Sequence, residues 1–246
     1  MLEITLSSGK LFFGGDIHGE KDCLFSALDK AGFNFDTDKF ICTGDIVDKG
    51  PQSLECLKLL REFWFYSVLG NHEIQLIQAI KDYQAEGVDG LCKPIHTHWA
   101  AKCGGGWFFD ENVIKSCIEY LPFLEDLPLQ IQVTDKAGVR FGVTHGAYNI
   151  AAWSNHRKTE YNYNSLVWER VPLSQYEKMT SPVKKRKLHN KSKVAGLTAV
   201  IHGHTPVNTP TVIGNHIYLD ADTDKTGKYF VMSSEEIVES ITAKEA

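Results

Sequence analysis

The sequence lacks most of the features that would set it apart from an ordinary globular protein. Only 8 of its 246 residues are proline and its 20 glycines follow no repeat, so collagen-like, fibrous and disordered classes are excluded. The six cysteines, at 23, 42, 56, 92, 103 and 117, include no C-x-x-C pair. That removes a zinc ribbon and leaves reduced thiols as the expectation, with Cys23, Cys42 and Cys56 in apolar, core-like contexts. No apolar run approaches the roughly 18 residues a membrane span requires. The opening M-L-E-I-T-L-S-S-G-K-L-F-F has no basic stretch leading into a long apolar one; no secretory signal is expected, and the cytoplasm is the expected compartment. There is no G-x-S-x-G, and Gly104-Gly105-Gly106 is not followed by Gly-Lys-Ser/Thr, so neither a serine nucleophile elbow nor a P-loop is present. The net charge of −5 has the wrong sign for a chain held on nucleic acid mainly by phosphate neutralisation.

What is present suffices for a sizeable core: 43% of the residues are hydrophobic and 23% charged, and one domain over 1–246 is expected. One local pattern recurs, in which a short apolar run passes through Gly to a metal-capable residue. Leu11-Phe12-Phe13 leads to Asp16 and His18, Phe40-Ile41-Cys42 to Asp45, and Val68-Leu69 to Asn71 and His72. Phe141 and Val143 lead to His145, and Ala199-Val200-Ile201 to His202-Gly203-His204. Such runs read as strands with both faces covered. Leu24, Ala27, Leu28 and Ala31 are spaced as on a helix, as are Leu54, Leu57 and Leu60 after Pro51, and Ile74, Ile77 and Ile80 after Asn71. Alternating strand, Gly turn and helix predicts an α/β fold with largely parallel pairing. Residues 83–126 read as mostly helical, further strands are expected at 127–134, 139–144, 198–202, 210–213, 216–220 and 228–233, and 171–196 reads as a loop with at most a short helix. Ligands of such folds lie beyond the carboxyl ends of the strands, where all five patterns end.

Asp16, His18, Asp45, Asn71, His145 and His204 together form a nitrogen and oxygen donor set suited to borderline or hard divalent ions such as Mn, Fe or Zn. Six ligands are too many for one open site but suit two ions sharing a bridging carboxylate, the arrangement that clamps a phosphoryl group. With two aspartates and a hydroxide the centre keeps about +1, attractive to a phosphate dianion. His202 competes with His204. His96, His98, His156, His189 and His216 read as surface or packing residues, and Glu73 as a structural partner near a helix start. The run Lys184-Lys185-Arg186-Lys187, with Lys191 and Lys193, reads as a solvated segment, or else as an electrostatic rim for anionic substrates.

At these residues the sequence also resembles a known family. G-D-I-H-G at 15–19, G-D-I-V-D-K-G at 44–50, G-N-H-E at 70–73, H-G-A at 145–147 and G-H-T-P at 203–206 resemble the phosphoprotein phosphatase type of metallophosphoesterase, in the subgroup of phage and bacterial protein phosphatases. G-G-G-W-F-F at 104–109 and W-E-R at 168–170 are similar to that subgroup too. The resemblance runs from about 11 to 233. It implies a calcineurin-like fold, a central β-sandwich flanked by helices. Asp16, His18 and bridging Asp45 would hold one divalent ion, and Asp45, Asn71, His145 and His204 a second. Manganese would come first, with iron, zinc or nickel as alternatives.

In the family's pattern His72 matches the acid that protonates the leaving oxygen, Asp48 the carboxylate that orients it, and Arg170 a phosphate-gripping arginine. Lys49 stands where the family usually has arginine, keeping the charge without the bidentate fork, and Leu69 replaces another. The implied activity is metal-dependent hydrolysis of phosphoserine and phosphothreonine by a bridging hydroxide, with phosphotyrosine and small phosphoesters as further substrates. Symmetrical diadenosine tetraphosphatase is the enzymatic alternative, sharing the early motifs. A non-enzymatic metal-binding module is the contrasting class, and His72 with Asp48 counts against it. No membrane partner is expected.

Overall fold

The computed structural model of the chain describes residues 1–155 and 160–245. In chain order the first half contains β1 (Leu2–Thr5), β2 (Leu11–Gly14), α1 (Lys21–Lys30), β3 (Lys39–Cys42), α2 (Ser53–Leu57), β4 (Phe65–Ser67), α3 (Asn71–Glu86), α4 (Val88–Leu91), α5 (Pro94–Lys102), α6 (Glu111–Ile118) and α7 (Leu121–Asp126). There follow β5 (Ile131–Thr134), β6 (Arg140–Thr144), α8 (Glu160–Trp168), α9 (Leu173–Lys178), α10 (Pro182–Lys191), β7 (Ala199–His202), β8 (Thr211–Ile213), β9 (His216–Tyr218), α11 (Thr223–Thr226), β10 (Val231–Ser233) and α12 (Ser234–Glu245). A 3-10 turn extends α2 through Lys58–Arg61, and another covers Gly105–Phe109.

The strands form two sheets, one ordered β10-β2-β3-β4 and one ordered β1-β5-β6-β7-β9-β8. Pairing is parallel for β2 with β3, β3 with β4, β6 with β7, β7 with β9 and β1 with β5, and antiparallel for the other pairs. The sheets pack face to face because alternate residues point opposite ways. Leu11, Phe13 and Ile41 meet Ile131, Phe141, Val143, Ala199, Ile201 and Ile217 between the sheets, with the Phe13 and Phe141 rings 5.2 Å apart. Their neighbours Phe12, Phe40 and Cys42 point outward and pack against Leu24 and Leu28 of α1, Leu57 of α2 and Leu76 and Ile80 of α3. Helix α12 inserts Ile237 and Ile241 into the inter-sheet core. Among the described residues no helix is long and apolar enough to cross a membrane.

Four expectations are corrected. The strand before Asn71 is Phe65–Ser67 rather than Val68-Leu69, because Phe65 takes the register opposite Phe40 while Leu69 donates its N–H to Pro128 and leaves the ladder. The strand expected from 127 starts only at Ile131, since Pro128 has no N–H to give a ladder. Residues 171–196 hold two helices: α10 starts at Ser181, whose hydroxyl accepts the Lys184 N–H, followed by Pro182 at the first helical position. Cys42 and Cys56 are buried, but Cys23 is only half-buried; it turns from the sheet toward Glu20 and Gly227.

Strand-end loops from both sheets meet at one end of the sandwich. Ile17 and His18 donate backbone N–H groups to the Asp45 carbonyl, Thr43 to Gly14, and Gly203 to His145. The His204 N–H lies 2.9 Å from Asp16 Oδ2, although 188 residues separate the two in sequence.

Candidate metal centre

Six buried side chains surround the Asp45 carboxylate. Its Oδ2 lies 3.3 Å from His145 Nε2, 3.7 Å from His18 Nε2 and 3.8 Å from His72 Nε2, and its Oδ1 accepts the His72 backbone N–H at 3.0 Å. Two sets of donor atoms emerge within 4.8 Å of one another, one from His18, Asp45 and His72 and one from Asp45, His145 and His204. Asp45 belongs to both. Asn71 joins the second set, its Oδ1 being 2.9 Å from His145 Nε2. Asp16 sits alongside, 3.8 Å from His145 Nδ1, and its oxygens accept from the Thr43 hydroxyl and the His204 N–H at 2.9 Å each.

The local backbone is shaped for this convergence. His18, Asp45, Asp48, Lys49 and His204 all have φ between +45° and +74°, conformations that are sparsely populated without glycine and that concentrate at functional sites. Gly203 passes so close to Asp16 Oδ1 that a Cβ there would fall on the oxygen. Glu73 is fully buried at the start of α3. It accepts the N–H of Gly70 at 3.0 Å, that of Asp45 at 2.9 Å and that of Ile46 at 2.7 Å, tying the loop after β3 to the loop after β4. Burial and the neighbouring Asp45 charge push its carboxyl up to about 7.

The donor chemistry fits divalent ions. His145 Nδ1 donates to the Thr43 carbonyl at 2.8 Å and His18 Nδ1 to the Val47 carbonyl at 3.2 Å. In the neutral ring each bond fixes the tautomer and leaves the Nε2 lone pair facing Asp45. His145 Nε2 thus confronts two oxygens, of Asn71 and Asp45, an arrangement of acceptors that calls for a cation between them. From protein groups alone, burial opposes charge on His145, but Asp45 and Asp16 outweigh it and hold the ring up at about 10. Burial likewise opposes ionisation of Asp45, yet His145 and His72 keep its carboxyl well below the usual range. His204 is the reverse case: burial and the charges of His145 and Arg170 lower it to about 3, so its lone pair is free to bind. The Lys49 ammonium, 2.9 Å from His18 Nε2, marks a cation position beside that ring and also pairs with Asp224 at 3.7 Å.

His72 stands at the edge of this cluster. Its Nδ1 donates to Asp48 Oδ2 at 2.6 Å; burial opposes its charge, but Asp45 and Asp48 hold the ring up at about 9. Arg170 is exposed, close enough to His204 to influence its charge. Leu69 is buried in the helix-facing core, so it presents nothing to the pocket. His202 turns away: its Nδ1 lies 2.9 Å from the Gly146 carbonyl and its Nε2 2.9 Å from His216 Nδ1. His96 is a packing residue paired with Asp82 at 2.7 Å, His98 is exposed, and His189 accepts the Gly214 N–H; His156 lies outside the described residues.

Several participants were not read from the sequence. Thr43 serves Asp16 and His145 at once, and its place in T-G-D was the available signal. Trp99 and Trp107 donate indole N–H groups to Asp48; G-G-G-W-F-F marked the second, and nothing local marked the first.

The fold and this cluster define a metallophosphoesterase, a hydrolase class whose members use divalent metal ions. The chain belongs to the calcineurin-like phosphoesterase family, whose model matches residues 10–208. It is 31% identical to serine/threonine-protein phosphatase 2 of Escherichia coli, over 87% of this chain and 88% of that protein. It is also 46% identical over 65 residues to a symmetrical bis(5'-nucleosyl)-tetraphosphatase of Erwinia tasmaniensis, covering 26% of this chain and 24% of that one. A crystal structure described as a putative diadenosine tetraphosphatase shares the fold with a TM-score of 0.58 and 19% identity, over 95% of this chain and 93% of that one.

Proposed function

We propose that this chain is a metal-dependent serine/threonine protein phosphatase that hydrolyses phosphomonoesters and also accepts phosphotyrosine. The observation that carries this reading is the His72–Asp48 pair, 2.6 Å apart, set against the Asp45 carboxylate. A purely structural metal site has no use for an imidazole held by one carboxylate beside another. In this reading Asp16, His18 and Asp45 hold one ion and Asp45, Asn71, His145 and His204 a second, with manganese the first candidate and iron, zinc or nickel alternatives. Bound there, divalent ions supply Lewis acidity toward phosphoryl oxygens and make a water acidic enough to attack near neutral pH.

The remaining steps belong to the chain. Arg170 and Lys49 take the phosphate's peripheral oxygens, Arg170 with a planar fork and Lys49 as a point charge. His72 delivers its Nε2 proton to the departing oxygen while Asp48 receives the Nδ1–H and fixes the ring. Alkoxides of serine and threonine need that proton most, being poor leaving groups. The relative of similar length that carries a protein phosphatase name supports this substrate class. A single domain and action in the cytoplasm belong to the same reading.

A second reading, symmetrical hydrolysis of dinucleoside tetraphosphates, is favoured by the 65-residue match to tetraphosphatases and by the burial of Leu69, which leaves that wall without a cation. One assay separates them: phosphate release from a phosphoserine peptide against cleavage of diadenosine tetraphosphate, each with added manganese. A kcat/KM at least about tenfold higher on the peptide is expected; the opposite preference gives the tetraphosphatase reading.

A further inference from the structure

The Asp48 carboxylate is fully buried and receives more than the His72 ring. Trp99 Nε1 donates to its Oδ2 at 2.5 Å and Trp107 Nε1 to its Oδ1 at 2.6 Å. Both oxygens are engaged, one by an indole and the other by an indole and the imidazole together. Indole nitrogen only donates and carries no charge, so these bonds orient the carboxylate without adding a competing acid or base. Neither tryptophan comes from a strand-end loop. Trp99 lies on α5 and Trp107 in the 3-10 turn after it.

The surrounding segment is built to keep the indoles in place. Trp99 is buried against Phe108, ring centroids 5.6 Å apart. Gly105 lies directly on the Trp99 ring, where any Cβ would collide with the indole. The Gly104 carbonyl accepts the Lys49 N–H at 3.3 Å, binding the turn to the loop that carries Asp48. At its other end α5 is fastened to α3 through Asp82, which meets His96 at 2.7 Å and Lys93 at 2.9 Å.

We propose that Trp99 and Trp107 are positioning residues that hold Asp48 against His72, so that the helical segment 94–109 sets the efficiency of proton delivery to a poor leaving group. This rests on the phosphomonoesterase reading above and sharpens its substrate class. A carboxylate clamped on both oxygens keeps the imidazole's Nε2 aimed at one point, which matters where the leaving oxygen is an alkoxide. It matters little for an aryl oxide or a nucleotide phosphate, which depart with little protonation.

The decisive variant is Trp107→Phe, since Trp107 is only half-buried; Trp99→Phe is the companion, with thermal unfolding to check its folding. Steady-state kinetics are compared on a phosphoserine peptide and on p-nitrophenyl phosphate, with the manganese-loaded full chain. The expected result is a kcat about 10-fold lower on the peptide with KM unchanged, against less than about 3-fold on the aryl ester. In a His72→Asn background Trp107→Phe adds no further loss, because the group it positions is gone. Equal losses on both substrates, or an undiminished loss in the His72→Asn background, overturn the inference and leave the phosphatase reading standing. A wild-type chain that hydrolyses neither phosphomonoester overturns the phosphatase reading itself.

Discussion

Two histidine clusters meet at the carboxyl end of β7, and their different company gives them opposite character. At the strand's end His145 and His204 pack with ring centroids 4.9 Å apart, surrounded by Asp16, Asp45 and Asn71. One step back, His202 stacks on His216 with centroids 5.1 Å apart and an angle of 20° between the rings, and Tyr218 lies 5.1 Å beyond His202. The other partners of His202 are the Thr144 hydroxyl and the Gly146 carbonyl, 2.9 Å away each, and neither is a carboxylate. Burial lowers His202 well below its usual range and His216 to about 4, whereas the carboxylates hold His145 at about 10. Equal burial thus yields a neutral hydrogen-bonded pair in one place and a cation-seeking site in the other. The carboxylates decide which.

The largest effect that would sharpen this contrast is expected from Asp45→Asn. Removing the charge shared by both donor sets should deplete both ions and lower activity by several orders of magnitude, while Asn71→Ala weakens chiefly one ion. Metal analysis of the purified variants decides it, and a full metal complement in the Asp45 variant would refute the bridging role. Next in size is His72→Asn, expected to retain both ions yet lose about 10²- to 10⁴-fold in kcat on alkyl phosphates, with a smaller loss on p-nitrophenyl phosphate. Equal losses would argue against an acid role.

The neutral pair should register in stability instead. His216 is held at about 4 against an ordinary 6.5, so the unfolded chain takes up a proton that the native state refuses. The stabilisation of the neutral ring is complete above pH 6.5 and is lost as pH falls from there to 4; at full extent it is worth about 3 kcal/mol. His216→Phe should leave His202 without its partner and cost about 1–3 kcal/mol at pH 7, while flattening the decline between pH 6.5 and 4. Denaturant unfolding across that range measures both. The smallest effect is expected from Lys49→Arg, a severalfold tighter inhibition by free phosphate, read as an inhibition constant. Unchanged inhibition would mean that Lys49 serves His18 and Asp224 alone.

The clustered strand-end side chains were legible because each is announced locally, by an apolar run and glycine ahead of it. The sandwich was legible through the same runs and their alternation. Elements made by distant pairing gave no such notice. Strand β1 exists because Leu2 pairs with Ile131, and the His202–His216 contact follows from the β7–β9 register that sets Val200 opposite His216. Trp99 was invisible for another reason: its position on α5 signals burial, while the direction of its N–H depends on where Asp48 arrives. Helix α10 was missed because none of its residues is buried, so it offers no apolar stripe to read.

The Glu73 clasp has a consequence for how the centre is assembled. Because one buried carboxylate links the loop bearing Asp45 to the helix bearing Asn71 and His72, the cavity wall is braced by the polypeptide rather than drawn together by its occupant. A wall braced in this way has its donors placed by folding itself, so less of their ordering remains to be done when an ion binds.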